Sequence, residues 1–326
     1  MIGSIESGGN EMNENETMIN TIDEPTQAPV PAPAATRPRM RKTFSRLALG
    51  LCLGLLFSQL VPALIAAVFP GFDAQAHAFL VGGLCTACFT LPVMLLLGRR
   101  LPSELPARNA LTFGRFLALV CIGYAGMMLG NLVGIGINSL LSPGSVDLIG
   151  QLASAAGLSA EMVIAFVVLA PVFEELVFRK VIVDRVLPFG EWPAILFSGI
   201  TFGLFHGNLT QFFYAALLGM LLAYVYIRTG NVLYTIGIHA CINFLGGVLP
   251  LLFPAASAAV LAVALAGVVL FFMLKKNIRI RRNAAPGVGG AMFGNAGMIL
   301  FLLLSVILMV LVAFIMNHPE LTGGLM

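Results

Sequence analysis

Ala170-Pro-Val-Phe-Glu-Glu-Leu-Val-Phe-Arg179 sets two adjacent carboxylates and an arginine inside a run that is otherwise apolar enough for a membrane. A charge at bilayer depth costs about 2.5 to 3.5 kcal/mol on insertion scales, so this cluster calls for partners or a function. On a helix Glu175 and Arg179 stand one turn apart and can pair, while Glu174 points about 100° away from Glu175. One carboxylate is then structural and the other is free to act.

The surrounding chain makes the membrane reading general. Of 326 residues, 59% are hydrophobic and 10% charged, with a strongly positive mean hydropathy. These values exclude a soluble globular domain and indicate an all-α, polytopic transmembrane bundle. Apolar residues come in runs of about twenty, not in the alternation of a transmembrane barrel. No interleaving of basic and aromatic residues suggests nucleic acid. All the cysteines lie in apolar runs and read as small buried hydrophobes, with Cys85 and Cys88 a weak metal or redox pair.

Residues 1 to 43 are polar and then Pro-rich (Pro25 to Pro33), with almost nothing to bury, and are expected to form a disordered cytoplasmic tail. The basic start and early apolar core of a signal peptide are missing. Residues 44 to 326 form the membrane domain, with its core at 160 to 250. Apolar segments fall at 46–69, 78–98, 112–138, 162–187, 192–206, 210–227, 231–252, 255–274 and 296–316, which predicts eight to nine membrane segments. The 192–206 segment is only about 22 Å long as a helix, so other helices must enclose it. With the N-terminus cytoplasmic, every Lys and Arg falls at a cytoplasmic end, from the Arg37 to Arg46 collar to Lys275, Lys276 and Arg279 to Arg282. That asymmetry predicts a multi-pass protein of the cell membrane in this orientation. The Ser142 to Asp147 connection is external, and Gly287 to Gly290 reads as a flexible loop.

The chain has four histidines. His77 and His318 fall in external loops or ends, where solvation explains them. His206 and His239 lie at the ends of apolar runs. Phe202 with His206, and His239 with Asn243, are spaced to share a helix face. Glu174, His206 and Asn243 come to similar depth if the 162–187 helix continues past Arg179 to Leu187, which also buries Arg179 beside Glu175. A partly desolvated carboxylate can take a proton from water, an imidazole can orient that water or protonate a leaving amine, and Asn243 with His239 can donate to an oxyanion. This suffices to cleave a peptide bond in a peptide or membrane-protein substrate. A zinc ion held by Glu174, His206 and His239 fits the same residues, although no His-Glu-x-x-His is present. The alternatives are a non-catalytic scaffold or bacteriocin self-immunity protein that keeps the cluster for stability, and a transporter.

Glu-Glu-x-x-x-Arg at Glu174, Glu175 and Arg179, Phe-x-x-x-His at Phe202 and His206, and His-x-x-x-Asn at His239 and Asn243 resemble the CPBP intramembrane protease family. This is also called the CAAX-protease and bacteriocin-processing or Abi family. The resemblance covers roughly residues 160–250. It implies that Glu174 and His206 activate water, that His239 and Asn243 sit at the scissile carbonyl, and that Glu175, Arg179 and Phe202 support them. It leaves open a metalloprotease and a glutamate-activated water without obligatory metal.

Overall fold

The computed structural model describes residues 36–73, 76–141, 157–281 and 283–318. Residues 1–35 of the expected tail and the Ser142 to Asp147 connection lie outside them. The protein is an all-α, polytopic bundle, and no strand occurs among the described residues. Its helices are α1 (Arg37–Val68), α2 (Ala78–Gly98), α3 (Phe113–Leu141), α4 (residues 160–186), α5 (Glu191–Phe205), α6 (Leu209–Thr229), α7 (Val232–Leu252), α8 (Ser257–Leu274), the short α9 (Val288–Phe293) and α10 (Ala296–Asn317).

Seven of these are long and apolar enough to cross a membrane: α1, α2, α3, α6, α7, the α8 segment and α10. Continuous α4 falls outside that set because Glu174, Glu175, Arg179, Lys180, Asp184 and Arg185 interrupt its apolar run. Helix α5, with 15 residues, is too short. It is enclosed as its length requires, with Ile195, Phe197, Ser198, Gly199, Thr201 and Phe202 all buried. Together the nine agree with the segments read from hydropathy.

Two boundaries differ from expectation. The first helix starts at Arg37, so the basic collar forms its opening turns and not the end of a tail; Met40, Thr43 and Phe44 there are fully buried. The Gly-rich stretch is not a loop throughout. Gly287 adopts a left-handed conformation (φ 73°) and starts α9, whose Ala291 and Met292 pack into the core with α1.

Glycines set the helix spacing. Gly130 and Gly134 of α3 face the backbone of α6 at Tyr214 and Thr210, Gly199 of α5 meets Gly219 of α6, and Gly267 of α8 lies against the Cys121 carbonyl of α3. A methyl group at any of these would collide with backbone, and close approach of this kind drives helix association in lipid. Helix α6 joins two apolar clusters, one shared with α1, α4, α5 and α10 and the other with α3, α7 and α8.

Three helix irregularities have one cause. Pro92, Pro171 and Pro250 each occupy the first turn of a new α-helical stretch, and each follows a π-helical turn: Thr86–Thr90, Ala165–Leu169 and Phe244–Val248. Proline lacks an N–H and its ring collides with the carbonyl four residues back, so the preceding turn widens. A fourth π-helical stretch, Leu176–Val183, contains no proline and begins directly after Glu175.

The charges gather at one end of the bundle. There Arg185 donates to the Gly98 carbonyl (2.9 Å), Asn109 donates to the Arg228 carbonyl (2.9 Å), and buried Glu191 receives Arg228 and the Arg281 N–H. At the opposite end His77, expected to be solvated, pairs with Glu161 at 2.7 Å and stacks on Phe72.

Candidate active site

Glu175 and Arg179 form the pair that their spacing predicts. Arg179 Nη2 donates to Glu175 Oε1 at 2.9 Å, and Nε lies 2.8 Å from Oε2; both side chains are wholly buried. The second approach is an ion contact, not an aligned hydrogen bond, since neither atom counts as bonded by geometry. The guanidinium is further held by α5, through Nη1 to Ser198 Oγ (3.3 Å) and over the Phe202 ring (5.1 Å). Ser198 in turn donates to the Phe178 carbonyl at 3.1 Å. A buried charge pair this fully enclosed is costly to form and more costly to break.

The pair has a second task. His239 of α7 places Nδ1 at 3.0 Å from Glu175 Oε1. A carboxylate paired with arginine accepts only, so Nδ1 carries the hydrogen and Nε2 of the neutral ring is left as an acceptor. Nε2 faces Glu174 Oε2 at 3.8 Å. Glu174 makes no hydrogen bond among the described residues, and its side chain keeps 18% exposure where that of Glu175 has none. The surplus carboxylate of the opening stretch is therefore the one left partly exposed and without a hydrogen bond.

His206, at the C-terminal end of α5, is held by Nδ1 donation to the Phe202 carbonyl at 2.8 Å, which again leaves Nε2 without its hydrogen in the neutral ring. The Phe202 ring touches both imidazoles edge-on, at 5.0 Å from His206 and 5.8 Å from His239. Among the described residues no hydrogen bond or ion pair joins Glu174 to His206; the imidazole nearest to Glu174 by such a contact is that of His239. Asn243, one turn beyond His239, donates Nδ2 to the Phe166 carbonyl of α4 at 2.9 Å.

The structure thus brings Glu174, Glu175, Arg179, His239 and Phe202 into one cluster, with His206 beside it across Phe202 and Asn243 at its α4 flank. Sequence reasoning passed over Ser198 and Thr235. Both are buried, and the Thr235 hydroxyl faces Glu175. A signal was present: Ser198, Phe202 and His206 repeat every four residues on α5, and Thr235, His239 and Asn243 do so on α7.

Glu174, His206 and His239 are also the residues that the zinc reading names. His239 Nδ1 donates to Glu175 and His206 Nδ1 to the Phe202 carbonyl, which leaves Nε2 of each ring available as a donor to a metal. Among the described residues no three or more His, Cys, Asp or Glu side chains converge as a metal site. Glu174, His206 and His239 supply the donor types of a zinc site but are not gathered round one point in this arrangement. Cys85 and Cys88 are free thiols, one buried and one exposed.

A model of the family described as Type II CAAX prenyl endopeptidase Rce1-like matches residues 156–245. No curated protein and no solved structure matches the chain. The matched segment runs from the start of α4 into α7 and contains every residue of the cluster. Motifs, cluster and match agree, and over residues 156–245 the chain is similar to the Rce1-like type II CAAX prenyl endopeptidases.

Proposed function

We propose that the protein is an intramembrane endopeptidase that cleaves a peptide or membrane-anchored protein with a water activated by Glu174. The carrying observation is the 3.8 Å gap between Glu174 Oε2 and His239 Nε2. Both atoms are acceptors and the gap is too long for a direct bond. A water that donates one hydrogen to each bridges them, and its lone pair then faces away from both.

From that position the chemistry is short. Glu174 takes a proton from the water as the oxygen attacks the scissile carbonyl carbon. The carbonyl becomes an oxyanion, the C–N bond breaks, and Glu174 returns its proton to the leaving nitrogen. Glu175, fixed by Arg179, holds the His239 ring in the tautomer that accepts and stabilises any positive charge it gains, as the carboxylate of a hydrolase triad does. This reading gives the water to Glu174 and His239, where the resemblance implies Glu174 and His206. His206, with its free Nε2 across Phe202, is assigned to accept a hydrogen bond from the N–H of the leaving nitrogen while Glu174 protonates it. Because the donors do not converge on one point, no step runs through a metal.

The gathering of basic side chains at one end of the bundle supports a cytoplasmic N-terminus in the cell membrane. The family description supports a prenylated CAAX peptide as the first probe. In detergent micelles the wild type is expected to cut a quenched-fluorescent farnesylated CAAX peptide in the presence of chelator. Glu174→Gln and His239→Ala should lose that cleavage while both elute as the wild type does; Glu174→Gln should melt as the wild type, and His239→Ala at a lower temperature because Glu175 loses a buried partner. Full cleavage by either variant refutes the assignment. Loss of wild-type cleavage with chelator, restored by zinc, refutes the metal-free route.

A further inference from the structure

We infer that Asn243 is a positioning residue: its amide replaces the backbone hydrogen bond that Pro171 deletes beneath Glu174, and so holds α4 and α7 in catalytic register. The kinetic part of this inference rests on the peptidase reading above.

The argument follows the Phe166 carbonyl. In an α-helix it would receive the N–H of residue 170, and in a π-turn that of residue 171. Ala170 N–H is already bonded to Ala165, five residues back. Residue 171 is proline and has no N–H. Both backbone registers are closed, so this carbonyl has no partner within its own helix. In a membrane a backbone group left unsatisfied in this way is costly unless a neighbouring helix supplies one. Asn243 Nδ2 does so at 2.9 Å, across from α7.

The same break occurs twice more without this remedy. At Pro92 and Pro250 the equivalent carbonyls are Ala87 and Leu245, since Leu91 bonds back to Thr86 and Leu249 to Phe244. Among the described residues no side chain donates to either. The bridge is thus found only at the break that precedes Glu174, one turn before it on α4. It begins one turn from His239 on α7. Pro171, whose missing N–H the bridge replaces, lies one turn before Glu174, and Asn243 lies one turn after His239, so the bridge bears on the 3.8 Å gap in which the water is placed. Phe166 also packs its ring against Gly247 of α7, where a side chain would collide with it. Contact on both sides of the carbonyl fixes its direction.

The amide has two hydrogens, and only one is spent on Phe166. A direct role at the substrate carbonyl and a positioning role therefore predict different responses to Pro171. Replacing Pro171 by alanine restores an N–H. If the π-turn persists, residue 171 donates to Phe166; if the helix relaxes, Ala170 does. Either way the carbonyl no longer needs Asn243.

The test is a double-mutant cycle with Asn243→Ala and Pro171→Ala in the full-length protein, read two ways on monodisperse material. In cleavage of the farnesylated peptide, Asn243→Ala should lower kcat about tenfold with KM little changed, as expected when about 1.4 kcal/mol of alignment is lost. In the Pro171→Ala background the same substitution should cost no more than about twofold, as the kcat coupling expected of a shared bond. A loss of equal size in both backgrounds overturns the inference and leaves Asn243 at the substrate. The second reading is thermal unfolding, which needs no cleavage and so separates a failure of this inference from a failure of the peptidase reading. Asn243→Ala should lower the midpoint by about 3 °C in the wild-type background and by under about 1 °C with Pro171→Ala. Equal shifts overturn the bridge whatever the activity shows.

Discussion

Helix α4 carries two charge clusters whose buried acids, Glu175 and Asp184, lie a little over two turns apart, and they end differently. At the inner one, Glu175 is saturated by Arg179 and His239, and Glu174 is left with a single imidazole at 3.8 Å. At the outer one, Asp184 receives Tyr226 Oη on one oxygen (2.8 Å) and Lys180 Nζ on the other (3.1 Å), and Lys180 also donates to Tyr226 (3.1 Å). Arg185 beside it is absorbed by the Gly98 and Val181 carbonyls. The outer cluster has one acid and enough donors to use both its oxygens, so it acts as a latch between α4 and α6. The inner cluster has one acid too many. What separates a structural cluster from a reactive one here is that surplus.

Four substitutions probe the contrast. The largest effect is expected from Glu174→Gln, which removes the surplus base and nothing else: kcat should fall by about 10²- to 10⁴-fold, measured on the farnesylated peptide, with the unfolding midpoint unchanged. Arg179→Met comes next and should act on stability first. It strands Glu175 as an unpaired buried charge, a loss of about 3 to 5 kcal/mol, seen as a lower yield of monodisperse protein and a depressed melting temperature. Asp184→Asn should cost less, about 1 to 3 kcal/mol, because the amide keeps one oxygen for one of the two donors, and Lys180 and Tyr226 still bond to each other. Its kcat per folded molecule should stay within about threefold of wild type, since the latch has no share in the gap. The smallest effect belongs to Ser198→Ala, which takes one of several partners from Arg179. A stability loss of about 1 kcal/mol is expected, and Ser198→Thr should recover most of it. A kcat loss for Asp184→Asn as deep as that of Glu174→Gln would erase the distinction between the two clusters.

Much of this was legible in the residues. The spans follow from apolar runs, and the nine segments recur in the fold with ends shifted by a few residues. The Glu175–Arg179 pair follows from a spacing of four, and the continuation of α4 past Arg179 follows from matching depths with His206 and Asn243. The start at Arg37 was missed because a run of arginines reads as solvated, whereas Met40, Thr43 and Phe44 alternate with them on the buried face of a helix. His77 was read as a lone loop residue because its partner, Glu161, is 84 positions away. The choice of His239 over His206 as the neighbour of Glu174 was also out of reach. A regular helix turns 100° per residue, and each π-turn adds a residue that re-phases everything after it. Helix α4 contains two such stretches, before and after Glu174.

By itself the sequence determined what must be buried and in which order along the chain: an all-α membrane bundle, a carboxylate paired with its own arginine, and a second carboxylate beside it with no local partner. Those are consequences of hydropathy and of contacts four residues apart, which need no knowledge of the rest of the molecule. Only the tertiary structure decided what the second carboxylate faces. That depends on where proline-widened turns rotate α4, on how closely glycines let α5, α6 and α7 approach, and on which amide reaches the carbonyl that Pro171 leaves open. Such contacts join residues 60 to 80 positions apart, as between Glu175 and His239 or Phe166 and Asn243. Local periodicity carries no information about them.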